Sequence, residues 1–372
     1  MQTPEPITGR NGVIGLFFDL VAIPSPSFQE GAMASACRAW LERFGCEVQI
    51  DNADRKFGGQ TGNLWAAMPG RSGMSAVLLC AHLDTVRSAS KAVPYIDHEG
   101  VIRSRTLAQL GADDKAGVAA ILASIRRLHE ENLPHGDIQV LLTVGEEAGL
   151  YGVRSLEPSA LGAERALVLD CDGPVGSIVT SGSGLVRLTG TLCAASGAGM
   201  PQVGAMQATA QAVSAMRQKS FGGATIEIDS FHPVDGGVQV MGRAIASEIH
   251  LLEDAVRAAS DDFQRTAAAC GYDGRVEHEL VYPPYAVARE GAWYRAVTSA
   301  IRRSNLACQE LHVVHGSDAN WLSTFGVEAL NLGTGYKGSH SEDECISVTS
   351  LCQLEHLIVE ICSQAGMDKE GF

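Results

Sequence analysis

The 372-residue sequence predicts an α/β protein, a helix-covered, mixed but mostly parallel sheet carrying an inserted α+β sandwich. Three observations lead there. Short apolar runs alternate with amphipathic stretches through the first half, the pattern of strands buried on both faces between helices. From Gly184 to about Tyr285 that rhythm changes to strands in runs with two long helices, and after Pro283-Pro284 it resumes. The length exceeds one ordinary core, so two domains are the starting expectation.

The elements follow in order. Residues 13–22 and 31–44 read as amphipathic helices, 76–81 (AVLLCA) as a buried strand, 115–131 as a helix, and 138–144 (IQVLLTV) and 165–170 as further strands. The insert reads as a strand (LVRLTGTLC), a helix over 202–217, strands over 224–231 and 238–250, a helix over 252–270 and a strand over 274–282. Helices over 291–304 and 349–364 close the chain. The expected domains are therefore one made of 1–182 and 286–372 and a second, 183–285, inserted into it.

Hydrophobic residues make up 45% and charged residues 19% of the chain, which suits a globular protein with a sizeable core. The net charge of −15 argues against nucleic acid and against anionic membrane surfaces as partners. Ten scattered cysteines include no CxxC pair, so neither a zinc ribbon nor a thioredoxin-type motif is indicated. The apolar run from Val13 to Ile23 is broken by Asp19 and preceded by only one basic residue, Arg10, unlike a signal peptide or membrane span. The expected location is the cytoplasm, with the thiols reduced.

Five segments carry chemistry. AHLDTV (81–86) follows a buried strand and places His82 and Asp84 at its carboxyl end, one able to bind metal while the other orients it. GADDKAG (111–117) opens a helix with an acidic pair, which taken alone also reads as compensation of the helix dipole. TVGEEAGLYG (143–152) ends a strand in adjacent glutamates, costly to place together unless a cation or proton separates their charges. LVLDCDGPVG (167–176) ends a strand in Asp170 and Asp172, and GYKGSHSEDE (335–344) sets His340 in a glycine-rich loop. Together they put carboxylates and histidines at the sheet edge where α/β proteins bind ligands. Oxygen donors with two histidines suit zinc, manganese or cobalt, and a bridging carboxylate suits a pair of ions about 3.5–4 Å apart.

These segments, with FFDLVAIPSPSFQEG before them and HGSDAN (315–320) near the end, resemble the co-catalytic metallopeptidases that include peptidase T, acetylornithine deacetylase, succinyl-diaminopimelate desuccinylase and glutamate carboxypeptidase. The peptidase T-like branch is the most similar, and the resemblance implies a zinc-peptidase-like fold. It further implies two divalent metals, one held by His82, Asp113 and Asp172 and the other by Asp113, Glu147 and His340, with Asp113 bridging. Asp114 is then adjacent structure. Asp84 would orient His82, and Glu146 would be the general base that activates water and returns the proton to the leaving nitrogen. The insert would serve as lid and homodimer surface. A short peptide or another small molecule is the implied substrate.

The insert departs from that pattern. Relatives carry an AHAG-type segment whose His reaches the scissile carbonyl, whereas LCAASGAGMPQVG puts Ser196 there. The Arg that follows a strand glutamate in relatives reads SEIH here, with His250, and no Asn occurs between Asn132 and Asn305. Ser196, His232, His250 and His315 are the candidate substrate contacts. Either a histidine replaces the missing donor in an aminopeptidase or amidase, or the substrate has changed, for instance to an activated aromatic amine in a deaminase. A non-catalytic binding protein is the third reading.

Overall fold

A computed structural model of the chain describes residues 12–194, 204–217, 223–235 and 237–364. It divides into two compact units, one of residues 1–180, 287–312 and 317–372, the other of residues 181–286 and 313–316.

The first unit is built on a mixed sheet. Its strands run in the order Glu47–Ile50, Leu64–Met68, Ile138–Thr143, Val77–His82, Arg165–Val168, Glu328–Leu332 and Ser177–Gly182. Val77–His82 is parallel to both of its neighbours, and Glu328–Leu332 is parallel to Arg165–Val168, whereas the flanking pairs are antiparallel. Every residue of Val77–His82 is buried, as a central parallel strand covered on both faces requires.

The helices are as amphipathic as their sequences imply. Val13–Val21 buries Val13, Leu16, Phe17, Leu20 and Val21, one stripe at helical spacing. Ala112–Glu130 is instead buried on every side from Asp114 to Ile125 because it is sandwiched: it packs against Val77–His82, against Val13–Val21 and against the closing helix Val348–Gln364. Trp40, from Gly31–Arg43, donates its indole N–H to the Leu122 carbonyl, 3.1 Å away, tying that helix to the same core.

A small antiparallel sheet, not foreseen from the sequence, joins Tyr336–Lys337, Cys345–Ser347, Val101–Ser104 and Pro94–Ile96 in that order. Its strands are two to four residues long, too short to show a period. It pins both ends of the loop that carries His340, because Tyr336 pairs with Ile346 and Ile346 with Ile102.

The second unit is an α+β sandwich. An antiparallel sheet in the order Thr225–Val234, Gly237–Ala246, Gly184–Ala194, Tyr272–Tyr282 is packed by the helices Ala205–Arg217 and Ile249–Ala269. Along Gly184–Ala194 burial alternates, with Val186, Leu188 and Leu192 facing the helices. Gly190 makes room for Phe263, since a Cβ there would lie 3.1 Å from the phenyl ring. The largest boundary difference from the reading of the sequence is that the strand expected to reach 250 ends at Ala246, and Ile249 already begins the helix; the strand expected over 224–231 also runs on to Val234.

Candidate metal centre

The site forms where the central strands of the first unit end. Strand register sets the level of each group: His82 pairs with Thr143, and Cys80 with Val168. Two residues beyond Cys80 and Val168 stand His82 and Asp170, and the strand through Thr143 runs into Glu146 and Glu147. Asp113 enters from the start of the helix Ala112–Glu130, and His340 from the loop between Tyr336–Lys337 and Cys345–Ser347.

The side chains converge around Asp113. Its Oδ1 lies 3.0 Å from His82 Nε2 and its Oδ2 3.3 Å from His340 Nε2. His340 Nε2 is also 2.8 Å from Glu147 Oε2. Asp170 Oδ1 stands 3.9 Å from His82 Nε2 and accepts the Tyr336 hydroxyl at 3.2 Å. Single donor atoms of His82, Asp113 and Glu147 fall within 4.8 Å of one another, and so do those of His82, Glu146 and Asp170.

Electrostatics make this crowding expensive without a cation. Burial, together with repulsion from Asp170, pushes the Glu146 carboxyl well above the usual carboxylate range. Burial, with Asp113 nearby, pushes Asp170 up to about 8. Glu147 is raised by burial against the opposing hydrogen bond from His340. Asp113 goes the other way: burial resists its charge, but hydrogen bonds from His340 and His82 hold its pKa below the ordinary value. Those contacts with Asp113 and Glu147 raise His340 to about 10. Burial opposes the charge on His82, yet hydrogen bonds with Asp113 and Asp84 carry it well above the normal histidine range. In this arrangement protons on two histidines do the neutralising that a divalent cation does at a site of mixed carboxylate and imidazole donors, so the residues fit metal binding.

Around these groups lies a shell of buried acceptors. The Asp84 carboxylate accepts the backbone amides of Glu146 at 3.0 Å and Glu147 at 3.2 Å, and the Ser27 hydroxyl at 2.7 Å. His82 Nδ1 meets the Asp84 carbonyl oxygen at 2.9 Å, closer than the 3.5 Å to its carboxylate. Asp84 therefore touches His82 chiefly through its backbone, while its side chain holds the glutamate turn. Asp114 accepts the amides of His82 and Gly117, both at 3.2 Å, and stays outside the cluster. Asp318 accepts the Thr143 hydroxyl at 2.6 Å behind the strand ends.

The expected ligand Asp172 is elsewhere. Its Oδ2 accepts the Gly338 amide at 3.0 Å, and Asp170 is the carboxylate that reaches His82. The cause is register: with Cys80 opposite Val168, Asp170 is level with His82, whereas Asp172 lies two residues farther on, in the bend that follows the strand. His232, His250 and His315 all belong to the second unit and are exposed. His232 Nε2 pairs with the Ser230 hydroxyl at 2.8 Å, and His250 Nδ1 lies 3.3 Å from Glu248. Ser196 lies outside the described residues. Among the described residues no helix is long and apolar enough to cross a membrane.

Residues 78–364 match peptidase family M20/M25/M40. The Bacillus subtilis protein named "Uncharacterized protein YqjE" is 27% identical over 366 residues, 94% of this chain and 97% of its own length. A tripeptidase structure from Staphylococcus aureus superposes with a TM-score of 0.88 at 27% identity, covering 95% of this chain and 98% of that one. Aminopeptidase PepT from Bacillus cereus gives a TM-score of 0.84 at 29% identity, with the same coverage of 95% and 98%. The chain belongs to peptidase family M20/M25/M40, in its peptidase T-like branch, and is a metal-dependent hydrolase acting on C–N bonds.

Proposed function

We propose that this protein is an aminopeptidase that removes the N-terminal residue from short peptides. The observation that carries the reading is the Asp113 carboxylate, whose two oxygens face two different histidines, His82 and His340. One carboxylate serving two neighbouring positions is what a dinuclear centre needs. His82, Asp113 and Asp170 would hold one cation, and Asp113, Glu147 and His340 the other. The donor set suits zinc, manganese or cobalt.

When bound, the two cations supply Lewis acidity, polarising the scissile carbonyl and making water acidic near neutral pH. The rest falls to the protein. Glu146 is the proton carrier: its buried carboxylate stands beside His82 and Asp170, where it takes a proton from the attacking water and holds it. It then delivers that proton to the leaving nitrogen. Asp84 keeps Glu146 and Glu147 aimed by holding both of their amides. The exposed edge strand Thr225–Val234, with Phe231 42% exposed, supports a homodimer through the second unit.

The test is a substrate panel on protein loaded in turn with zinc, manganese and cobalt. Tripeptides with free and with acetylated N-termini should be run beside N-acyl amino acids and aminated aromatics. Release of the first residue from free tripeptides alone is the expected result, and Glu146→Gln should lower kcat by roughly 10²–10⁴ while both metals stay bound. Ammonia from aromatic amines without any peptide cleavage would replace this reading with that of a deaminase.

A further inference from the structure

Glu30 is fully buried, and among the described residues it has no cation within ion-pair distance. Burying a carboxyl in such a place is unfavourable, and its Oε2 has no hydrogen-bond partner among the described residues. The side chain does not cap the helix Gly31–Arg43 that begins beside it. Its Oε1 accepts the Phe28 amide at 2.8 Å and, 115 residues along the chain, the Gly145 amide at 3.0 Å.

That second contact completes a series. Three successive amides, those of Gly145, Glu146 and Glu147, each end on a buried carboxylate: the first on Glu30, the next two on Asp84. Gly145 is in the left-handed region at φ +62, and a Cβ there would lie 2.9 Å from the Phe28 ring. Phe28 is itself left-handed at φ 69, and its ring packs on Phe57 and Tyr151 with centroids 5.2 and 5.4 Å away. The segment from Phe28 to Glu30 thus closes over the turn from ring and carboxylate together. The direction of the turn decides where Glu146 and Glu147 point.

We propose that Glu30 is a positioning residue of this hydrolase: by accepting the Gly145 amide it fixes the turn that aims Glu146 and Glu147 into the metal cluster. This rests on the reading of Glu146 as proton carrier and Glu147 as ligand. The contact depends on an acceptor oxygen at the right reach and not on charge, which sets a distinctive order among variants. Glu30→Gln keeps the oxygen in place, Glu30→Asp keeps the acid but draws it back by one methylene, and Glu30→Met keeps the volume without an acceptor.

The experiment measures four quantities on the full chain: kcat and KM on a cleaved tripeptide, retention of the two metals against a competing chelator, and hydrogen exchange at the Gly145 amide. Glu30→Gln should stay within about threefold of the wild type throughout. Glu30→Asp and Glu30→Met should lose 10–100-fold in kcat with little change in KM, give up one metal sooner, and exchange the Gly145 amide faster. A residue needed only for folding would lower thermal stability and leave those readouts alone. Folded Asp and Met variants with wild-type kcat and metal retention would overturn the proposal, and so would a wild-type Gly145 amide that exchanges like a free loop amide. Should Glu30→Met not fold, Glu30→Asp and the wild-type exchange decide. Exchange and metal retention need no substrate, so they judge Glu30 even if no peptide is cleaved and the aminopeptidase reading falls.

Discussion

Glu344 holds the Gly111 amide at 2.7 Å on one oxygen and the Asp113 amide at 2.9 Å on the other. It is buried, and it lies at the end of the loop that carries His340. One side chain therefore fastens the loop bearing one histidine to the backbone of the carboxylate facing it. Glu344→Ala should weaken metal retention by about 10–100-fold without unfolding the chain, as removal of an outer hydrogen-bond partner does elsewhere. Chelator competition monitored with a metal-sensitive dye reads this directly, and unchanged retention would show the clamp to be dispensable.

Asp170 and Asp172 should separate cleanly. Asp170→Ala removes a carboxylate beside His82 and should cost roughly 100-fold or more in kcat/KM together with one of the two metals, beyond the range of an outer partner. Asp172→Ala loosens only the Gly338 amide and should stay within about tenfold. Metal analysis of the two purified variants checks the assignment, and the reverse order would restore Asp172 as ligand.

Metal uptake should release protons. In the metal-free protein His340 holds its proton up to about pH 10 and His82 well above the normal histidine range, in both cases through carboxylate contacts. A cation among the same carboxylates displaces those protons and the one that burial keeps on Asp170 up to about pH 8, so binding at pH 7 should release about two to three per chain, and affinity should tighten as pH rises. Titration calorimetry in buffers of differing ionisation enthalpy counts them. Uptake with no proton release would contradict the arrangement described.

The metal-free protein should lose stability as pH rises from about 4.5 to 7. Burial, with Asp84 beside it, raises Glu30 to about 7, burial raises Glu344 to about 7, and burial raises Asp170 to about 8. For each, the folded chain binds the proton more tightly than the unfolded chain does. The stability is thus fully present below the ordinary carboxyl value and is lost as pH climbs through the folded one. Above pH 7 Lys115, lowered to about 7 by burial, acts in the opposite sense. A fall in Tm on the order of 5–10 °C between pH 5 and 7.5 is expected, smaller once metal is bound. A metal-free Tm that rises over that interval would refute the assignment of these groups.

Local sequence determined most of the frame. The stripe from Val13 to Val21, the runs AVLLCA and IQVLLTV, and the change of rhythm after Gly182 reflect side-chain periodicity, which a chain carries before it folds. The ordered segments around His82, Asp113, Glu147 and His340 likewise named groups that the fold brings together. Tertiary structure alone decided the rest. Whether Asp170 or Asp172 meets His82 depends on how two parallel strands slide past each other, and nothing in LDCD records that register. Glu30 and Glu344 stand in segments already conspicuous for other residues, but the site amides they hold, those of Gly145 and of Gly111 and Asp113, lie 115 and more than 200 residues away. The donors are backbone N–H groups, identical at every residue but proline, so the sequence cannot mark which of them a buried carboxylate will find.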